Sequence, residues 1–290
     1  MGSNAVLRKV KYALRFLPDR AYIQLYYVSR FGRFADLKHP KTFNEKLNWL
    51  KLHDHNPLYP TLVDKYEVKQ NVAEKIGPEY VIPTLGVWEH FDDIDFDSLP
   101  DQFVLKCTHD SEGVVIVRDK EKLDKTAAKQ KIEAALRVNF YYIGREWPYK
   151  SVRPRIIAEQ LLVDPSGDEL KDYKLMCFNA EVKCTFVCSN RDSAGGLCIN
   201  TYDRQWQPMP FGRENPRNPV ETEKPVCYEK MVELAQTLSR NISFARVDFY
   251  EVDGRPFFGE LTFYPGSGMK RFVPESWDDT LGQWLRLPGE

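Results

Sequence analysis

The residues best suited to do chemistry lie near the end of the chain, where Arg246, Asp248, Glu260 and Thr262 flank an Asp253-Gly254 pair. Apolar Ala245, Val247, Phe249 and Leu261 alternate with polar neighbours, which reads as a β-hairpin with one face in the core. The turn decides what the other face can do. A two-residue loop pairs residue 252 with 255 and puts Asp248 and Glu260 on opposite faces. A three-residue loop with a left-handed Gly254 pairs 251 with 255. Arg246 then stands opposite Glu260, Asp248 is diagonal to it, and Thr262 shares their side. Two carboxylates, a guanidinium and a hydroxyl on one face suit Mg²⁺, which takes one or two carboxylates plus phosphate oxygens and water. In an ordinary hairpin such a face is solvated, with an Arg–Glu cross-strand pair. The glycine-rich Pro265-Gly266-Ser267-Gly268 that follows favours close approach of a ligand and does not fit a G-x-S-x-G nucleophile elbow.

Two lysines join this set. Lys106 ends the apolar run Phe103–Cys107, and Lys174 sits in Asp172-Tyr173-Lys174-Leu175. A single lysine in a strand usually keeps its amine in water at an edge. Together with an acidic hairpin they can bind a nucleoside triphosphate, with cations for the phosphates and carboxylates for the metal. No Walker A or G-x-G-x-x-G pattern occurs, which argues against P-loop, Rossmann and ordinary kinase routes.

The elements that must position these residues can be read from periodicity. Helical spacing marks Val6 to Leu17, Tyr22 to Phe31, Leu62 to Ile76, Leu123 to Phe140 and the stretch around Met231 to Leu238. Thr42-Phe43-Asn44-Glu45 has the form of a capping box opening a helix through Leu52. Strand-like runs are Phe103–Cys107, Val114–Val117, Ile156 to Val163, and a pair around Asn179-Ala180; Pro165 to Asp168 reads as a turn. The fold class is α+β with mostly antiparallel sheets. Over 290 residues, 42% are hydrophobic, and 41 Lys+Arg nearly balance 42 Asp+Glu. That excludes disorder and argues against a dedicated nucleic-acid binder. Mean hydropathy is -0.50, and no apolar run is long enough for a membrane span. Without a signal-peptide pattern, the expected location is cytoplasmic. The six cysteines show no C-x-x-C pair and read as buried thiols. Residues 1–51 carry eleven Lys+Arg against three Asp+Glu. This region is expected to be a helical cap, or a peripheral contact to an anionic membrane through residues 1–33.

Several segments carry a resemblance: "KTFNEKLNWLKLHD", "LVDKYEVK", "FVLKCTHDSEGVVIV", "GREWPYK", "PRIIAEQLL", "DYKLMCFN" and "RVDFY…FFGELTFYPGSG". From about Leu17 to Pro288 the chain is similar to the ATP-grasp fold, and more closely to the teichuronopeptide-biosynthesis-like (TupA-like) group of bacterial polysaccharide gene clusters. The resemblance implies two α+β lobes with mostly antiparallel sheets, about 99–163 and about 168–288. They would form a domain over 61–290, preceded by a helical, basic region at 1–60. It implies ATP and Mg²⁺ as cofactors. Lys106 and Lys174 would contact phosphates, under a covering loop with His109, Ser111 and Gly113. Glu159, Gln160, Leu161 and Leu162 would form the hinge that reads adenine, with Glu159 or a neighbour near the base or ribose. Asp248, Glu260 and Thr262 would hold metal, with Thr262 where the family commonly has Asn. Arg246, Lys174 and His109 would act in catalysis. The implied activity is carboxylate–amine ligation through an acyl phosphate on a sugar acid, amino sugar or amino acid, in capsule or lipopolysaccharide synthesis, with a lipid-linked or nucleotide-linked glycan as a further partner. The alternatives are a glycosyltransferase or phosphotransferase acting on a sugar, and a non-catalytic nucleotide- or glycan-binding module.

Overall fold

A computed structural model of the chain describes residues 10–164, 169–190 and 196–290. The expected turn at Pro165 to Asp168 and the start of the first helix, with Val6, lie outside the described residues. The first long helix is α1 (Asp19–Phe31), which ends where Gly32 turns left-handed. The next is α2 (Phe43–His53), opened by the capping box. Thr42 accepts from the Glu45 amide, and Glu45 reaches back to the Thr42 amide.

The helix expected over Leu62 to Ile76 is two helices, α3 (Tyr59–Val63) and α4 (Glu67–Ile76). Asp64 breaks them, its Oδ1 taking the amides of Tyr66 and Glu67. The chain then builds a four-stranded antiparallel sheet from β1 (Thr84–Trp88), β2 (Phe103–Cys107), β3 (Val114–Val117) and β4 (Ile156–Gln160), in the order β1-β4-β2-β3. Helix α5 (Lys125–Leu136), capped by Asp124, covers one face through Ala128, Ile132 and Ala135. Short α6 (Tyr141–Gly144) follows it. Phe103, Leu105, Cys107, Ile156 and Ala158 point into that small core, so Val104, Lys106, Ile157 and Glu159 occupy the opposite face.

A second antiparallel sheet holds β5 (Asp172–Phe178), β6 (Glu181–Ser189), β7 (Cys198–Asp203), β8 (Phe244–Val252) and β9 (Arg255–Thr262), in the order β7-β6-β5-β8-β9. Helix α7 (Tyr228–Leu238) buries Met231, Leu234, Ala235 and Leu238 against one face. The Thr185–Tyr228 hydroxyl contact marks which face that is. Each such side chain, fully buried, is worth about 1.5–3 kcal/mol for the larger residues. The last helix is α8 (Trp277–Trp284), whose Asp278 accepts from the Asn44 amide at the start of α2. All six cysteines are free and buried.

The β8–β9 hairpin departs from expectation in an instructive way. Its turn is the two-residue kind: Val252 pairs with Arg255, with Asp253 at φ 51 and Gly254 at φ 68. That register alone would split the carboxylates between faces. The ladder shifts, however, between Asp248 and Phe249: Asp248 pairs with Glu260 while Phe249 pairs with Phe258. Gly259 is the extra residue, a β-bulge in β9. A β-carbon there would lie 3.1 Å from the Tyr250 ring and 3.3 Å from the Asp248 carbonyl. The bulge restores the shared face, and Arg246 stands opposite Thr262 rather than Glu260.

Candidate functional site

On the face of the large sheet turned away from α7, Asp248 and Glu260 are direct cross-strand neighbours, and Lys174 on β5 is opposite Asp248. Directly opposed residues hold their β-carbons about 4.5–5.5 Å apart. Arg246 lies across both carboxylates. Its Nε and Nη2 donate to Asp248 at 2.7 Å, and Nη2 also donates to Glu260 Oε1 at 2.6 Å. Lys174 Nζ pairs with Asp172 at 2.6 Å and donates to Asp248 Oδ2. Thr262 Oγ1 donates to Glu260 Oε1 at 3.3 Å. Burial pushes the Asp248 carboxyl up to about 6 against the pull of Arg246 and Lys174. For Glu260 burial also acts upward, but Arg246, Lys174 and Lys65 together bring it down to about 2. Lys174 is held above its ordinary value because Asp172 and Asp248 outweigh its burial. Three carboxylates face two cations here. The oxygen-only donor set and its surplus negative charge fit a hard divalent cation at Asp248 and Glu260.

The open face of the small sheet has the opposite balance. Glu159, almost wholly buried, bridges Lys106 at 2.5 Å and Lys69 of α4 at 2.6 Å. Burial acts to raise the Glu159 carboxyl, but the two lysines hold it below its ordinary value. Lys69 also donates to the Ile82 carbonyl at 2.5 Å. Lys65, in the turn between α3 and α4, donates to the Asp110 carbonyl. Sequence reasoning passed over Lys65 and Lys69. Both lie in "LVDKYEVK", four residues apart, with Lys65 in the turn at Asp64 and Lys69 on α4.

At the hinge after β4, a cleft of about 430 Å³ is lined by Val81, Pro83, Gln160, Leu161, Leu162 and Val163, with Val252 and Phe257 of the hairpin among its other walls. Val252 and Phe257 share the face of Asp248 and Glu260. One side of the large sheet therefore runs from an apolar cleft at the turn to a charged cluster four residues along β8, about 13 Å away.

At the charged end, the segment containing Gly144, Arg145 and Glu146 meets the loop after β9. Gly266, Ser267 and Gly268 all have left-handed φ, of 60°, 57° and 59°. Ser267 is the strained member, since a side chain there costs of order 1 kcal/mol. Three buried groups hold it. Ser267 Oγ donates to Glu146 Oε1 at 2.6 Å, and Asn48 Nδ2 donates to the Gly268 carbonyl at 2.9 Å. Lys51 Nζ donates to Ser267 O (2.6 Å), Gly144 O (2.8 Å) and Asn48 Oδ1 (3.0 Å). Helix α2 thus ties both segments together through one ammonium. Burial brings the Lys51 amine down to about 7 against the pull of Glu146, and holds Glu146 above the usual carboxylate range despite Lys51.

The structure brings Lys174, Arg246, Asp248, Glu260 and Thr262 into one cluster, and sets Gln160, Leu161 and Leu162 on the hinge cleft. Glu159 points instead to Lys106 and Lys69. His109 is buried beneath the end of α5, with burial lowering its ring below the ordinary value, and is not part of the carboxylate cluster. Ser111 is exposed in its loop. Gly113 serves packing, since a β-carbon there would lie 2.5 Å from Cys107 Sγ and 2.8 Å from Ala135 Cβ. Its amide and that of Glu112 turn inward to Asp110 Oδ1, at 2.6 and 2.5 Å.

No curated protein is significantly similar to the chain. Among solved structures, it is similar to a D-alanine–D-alanine ligase from Bacillus anthracis complexed with ATP, at 14% identity and a TM-score of 0.42, covering 72% of this chain and 57% of that one. It is also similar to an L-amino acid ligase from Bacillus licheniformis, at 15% identity and a TM-score of 0.45, covering 88% and 57%. A D-alanine–D-alanine ligase from Helicobacter pylori matches at 13% identity and a TM-score of 0.43, covering 79% and 61%. The chain thus spans little more than half the length of these proteins. The model of the TupA-like ATP-grasp family matches residues 45–286, from the capping box of α2 to beyond α8. On that match, the chain belongs to the TupA-like ATP-grasp family.

Proposed function

We propose that the protein is an ATP- and Mg²⁺-dependent carboxylate–amine ligase acting on a sugar acid, amino sugar or amino acid of a surface polysaccharide. The observation that carries this reading is the directly opposed pair Asp248 and Glu260, set between Lys174 and Arg246 on the face that leads to the hinge cleft. The base would lie against Leu161, Leu162 and Phe257, reading hinge backbone groups, with the phosphates reaching Lys106 and Lys174. Bound at Asp248 and Glu260, Mg²⁺ would neutralise phosphate charge and orient the terminal phosphoryl group. Arg246 would release part of its carboxylate contact to meet the transferring group.

The reaction balances in two steps. A carboxylate oxygen attacks the γ-phosphorus, and the bond to ADP breaks. An amine then attacks the acyl carbon, phosphate leaves, and the amine loses a proton. The protein's share is positioning and charge neutralisation. The test is product analysis with pooled uronic acids, amino sugars and amino acids. ADP and phosphate released only when an acid and an amine are both present supports ligation. UDP released from a sugar nucleotide would assign a glycosyltransferase instead, and neither product would leave a binding module.

The basic N-terminal region supports a second contact, with an anionic membrane surface. Val10, Phe16, Leu25 and Phe34 are exposed among Lys11, Arg15, Arg30 and Arg33. No helix among the described residues is long and apolar enough to cross a membrane. Deleting residues 1–16 should abolish sedimentation with anionic liposomes and preserve ATP binding; unchanged sedimentation removes this contact.

A further inference from the structure

Arg213 lies on the same side of the large sheet as the carboxylate cluster, and neither the sequence motifs nor the nucleotide reading uses it. Its guanidinium stacks 3.9 Å from the Phe272 ring centre and 5.7 Å from that of Phe186. Phe186 is the β6 neighbour of Lys174, which places Arg213 over the strand beyond Lys174 as seen from Asp248. Strands β6 and β8 flank β5, so their backbones run about 9–10 Å apart. Arg246 turns toward Glu260 on β9, yet lies near enough for its charge to act on Arg213.

Arg213 also lacks a counter-ion. Lys69, Lys106, Lys174 and Arg246 each sit against a carboxylate. Arg213 has no carboxylate within 4 Å among the described residues; Nη1 donates only to the Lys270 carbonyl, at 3.1 Å. Burial brings its guanidinium down to about 10, the more distant Asp278 acts the other way, and Arg246 adds to the lowering. Arg213 is half-buried, and a partly desolvated cation with no anion beside it is completed when a ligand supplies one. Aromatic rings fix the plane of the guanidinium while its edge stays free for a bidentate oxyanion.

We propose that Arg213 binds the carboxylate of the acid substrate and delivers it beside Arg246. This rests on the ligase reading above. It narrows the substrate to one whose carboxylate enters over β6, from the side opposite the hinge cleft. A uronic acid and an amino acid both supply that group.

The test is calorimetric titration of the full chain, saturated with Mg²⁺ and a non-hydrolysable ATP analogue. The probes are glucuronate, alanine and inorganic phosphate, with glucose and alaninamide as controls that lack a carboxylate. At least one carboxylate should bind, these controls should not, and Arg213→Gln and Arg213→Met should each weaken the carboxylate tenfold or more. Whether glucuronate or alanine responds distinguishes sugar acid from amino acid. Nucleotide affinity should stay within twofold in both variants. The unliganded melting temperature should stay close to that of the parent, because no ion pair is removed. Carboxylate affinity unchanged in the variants overturns the proposal. So does absence of carboxylate binding to the parent, or phosphate binding equal to that of the acids. A melting temperature that falls in both variants would make Arg213 a structural brace. Failure of the parent to bind nucleotide would strike the ligase reading, while Arg213-dependent carboxylate binding without nucleotide would leave the anion site standing.

Discussion

The two open sheet faces carry the same residue types in opposite proportions. On the small sheet one carboxylate, Glu159, is shared by Lys106 and Lys69, leaving a surplus positive charge. On the large sheet Asp172, Asp248 and Glu260 outnumber the two cations bonded to them, Lys174 and Arg246, so the bonded cluster itself carries a surplus negative charge. A buried ion cluster designed only for stability would balance within each face, because an uncompensated buried charge is costly. On the proposed function each face would be completed by something of opposite sign: phosphates on the first, a divalent cation on the second. A metal–nucleotide complex supplies both.

The largest expected effect breaks the negative face. Asp248→Asn and Glu260→Gln should each lower Mg²⁺-dependent turnover by at least about a hundredfold, as losses of preorganised electrostatic groups do. Their stabilities should differ. Asp248 is buried and serves both Arg246 and Lys174, so its neutralisation should cost about 1–3 kcal/mol by urea unfolding. Glu260, with 39% of its side chain exposed, should cost less than about 1 kcal/mol. Equal stability losses would mean that the cluster is not organised around Asp248.

A smaller effect is expected on the positive face. Lys106→Met should raise the KM for ATP by about tenfold, the loss of one charge-assisted contact of about 1.4 kcal/mol. Lys69→Met should raise it less, since Lys69 also holds the Ile82 carbonyl. If kcat fell while KM stayed constant, Lys106 would belong with the transferring group rather than with ground-state phosphate binding.

How much of this was legible in the sequence differs between the faces for a physical reason. The capping box at Thr42 was legible because its parts are three residues apart, and the apolar face of the hairpin because alternation records it. The register was not. An extra residue can sit in the turn or in the strand with the same periodicity on both sides, and here it is Gly259 in the strand. Lys69 was missed because a lysine on a helix face looks the same whether it meets water or Glu159, and Lys65 because periodicity does not mark the turn at Asp64 that aims it at the Asp110 carbonyl. Arg213 lies in the long connection between β7 and α7, where no period marks what it faces. Gly113 suggested phosphate contact by its loop, yet its space is filled by Cys107 and Ala135.

The last effect is on stability alone and concerns Lys51, which braces the segments beside the negative face. Unfolded lysine titrates near about 10.4. The folded value of about 7 is depressed, so the folded state holds the proton less tightly. The contribution of Lys51 is present above about pH 10 and is lost as pH falls toward 7. The unfolding free energy of the parent minus that of Lys51→Met should therefore decrease between pH 9.5 and 7.5, by up to about 1.4 kcal/mol per pH unit. A flat difference would place the ammonium in an environment as polar as water.

The most direct measurement of the central claim, that the two faces together hold one metal–nucleotide complex, is a titration of ATP into parent, Lys106→Met and Asp248→Asn with Mg²⁺ and with a chelator. The parent should bind at least tenfold more tightly with Mg²⁺. Lys106→Met should weaken binding under both conditions, and Asp248→Asn should abolish only the Mg²⁺-dependent gain. Equal affinity of the parent with metal and with chelator, or a full Mg²⁺-dependent gain in Asp248→Asn, would contradict the account.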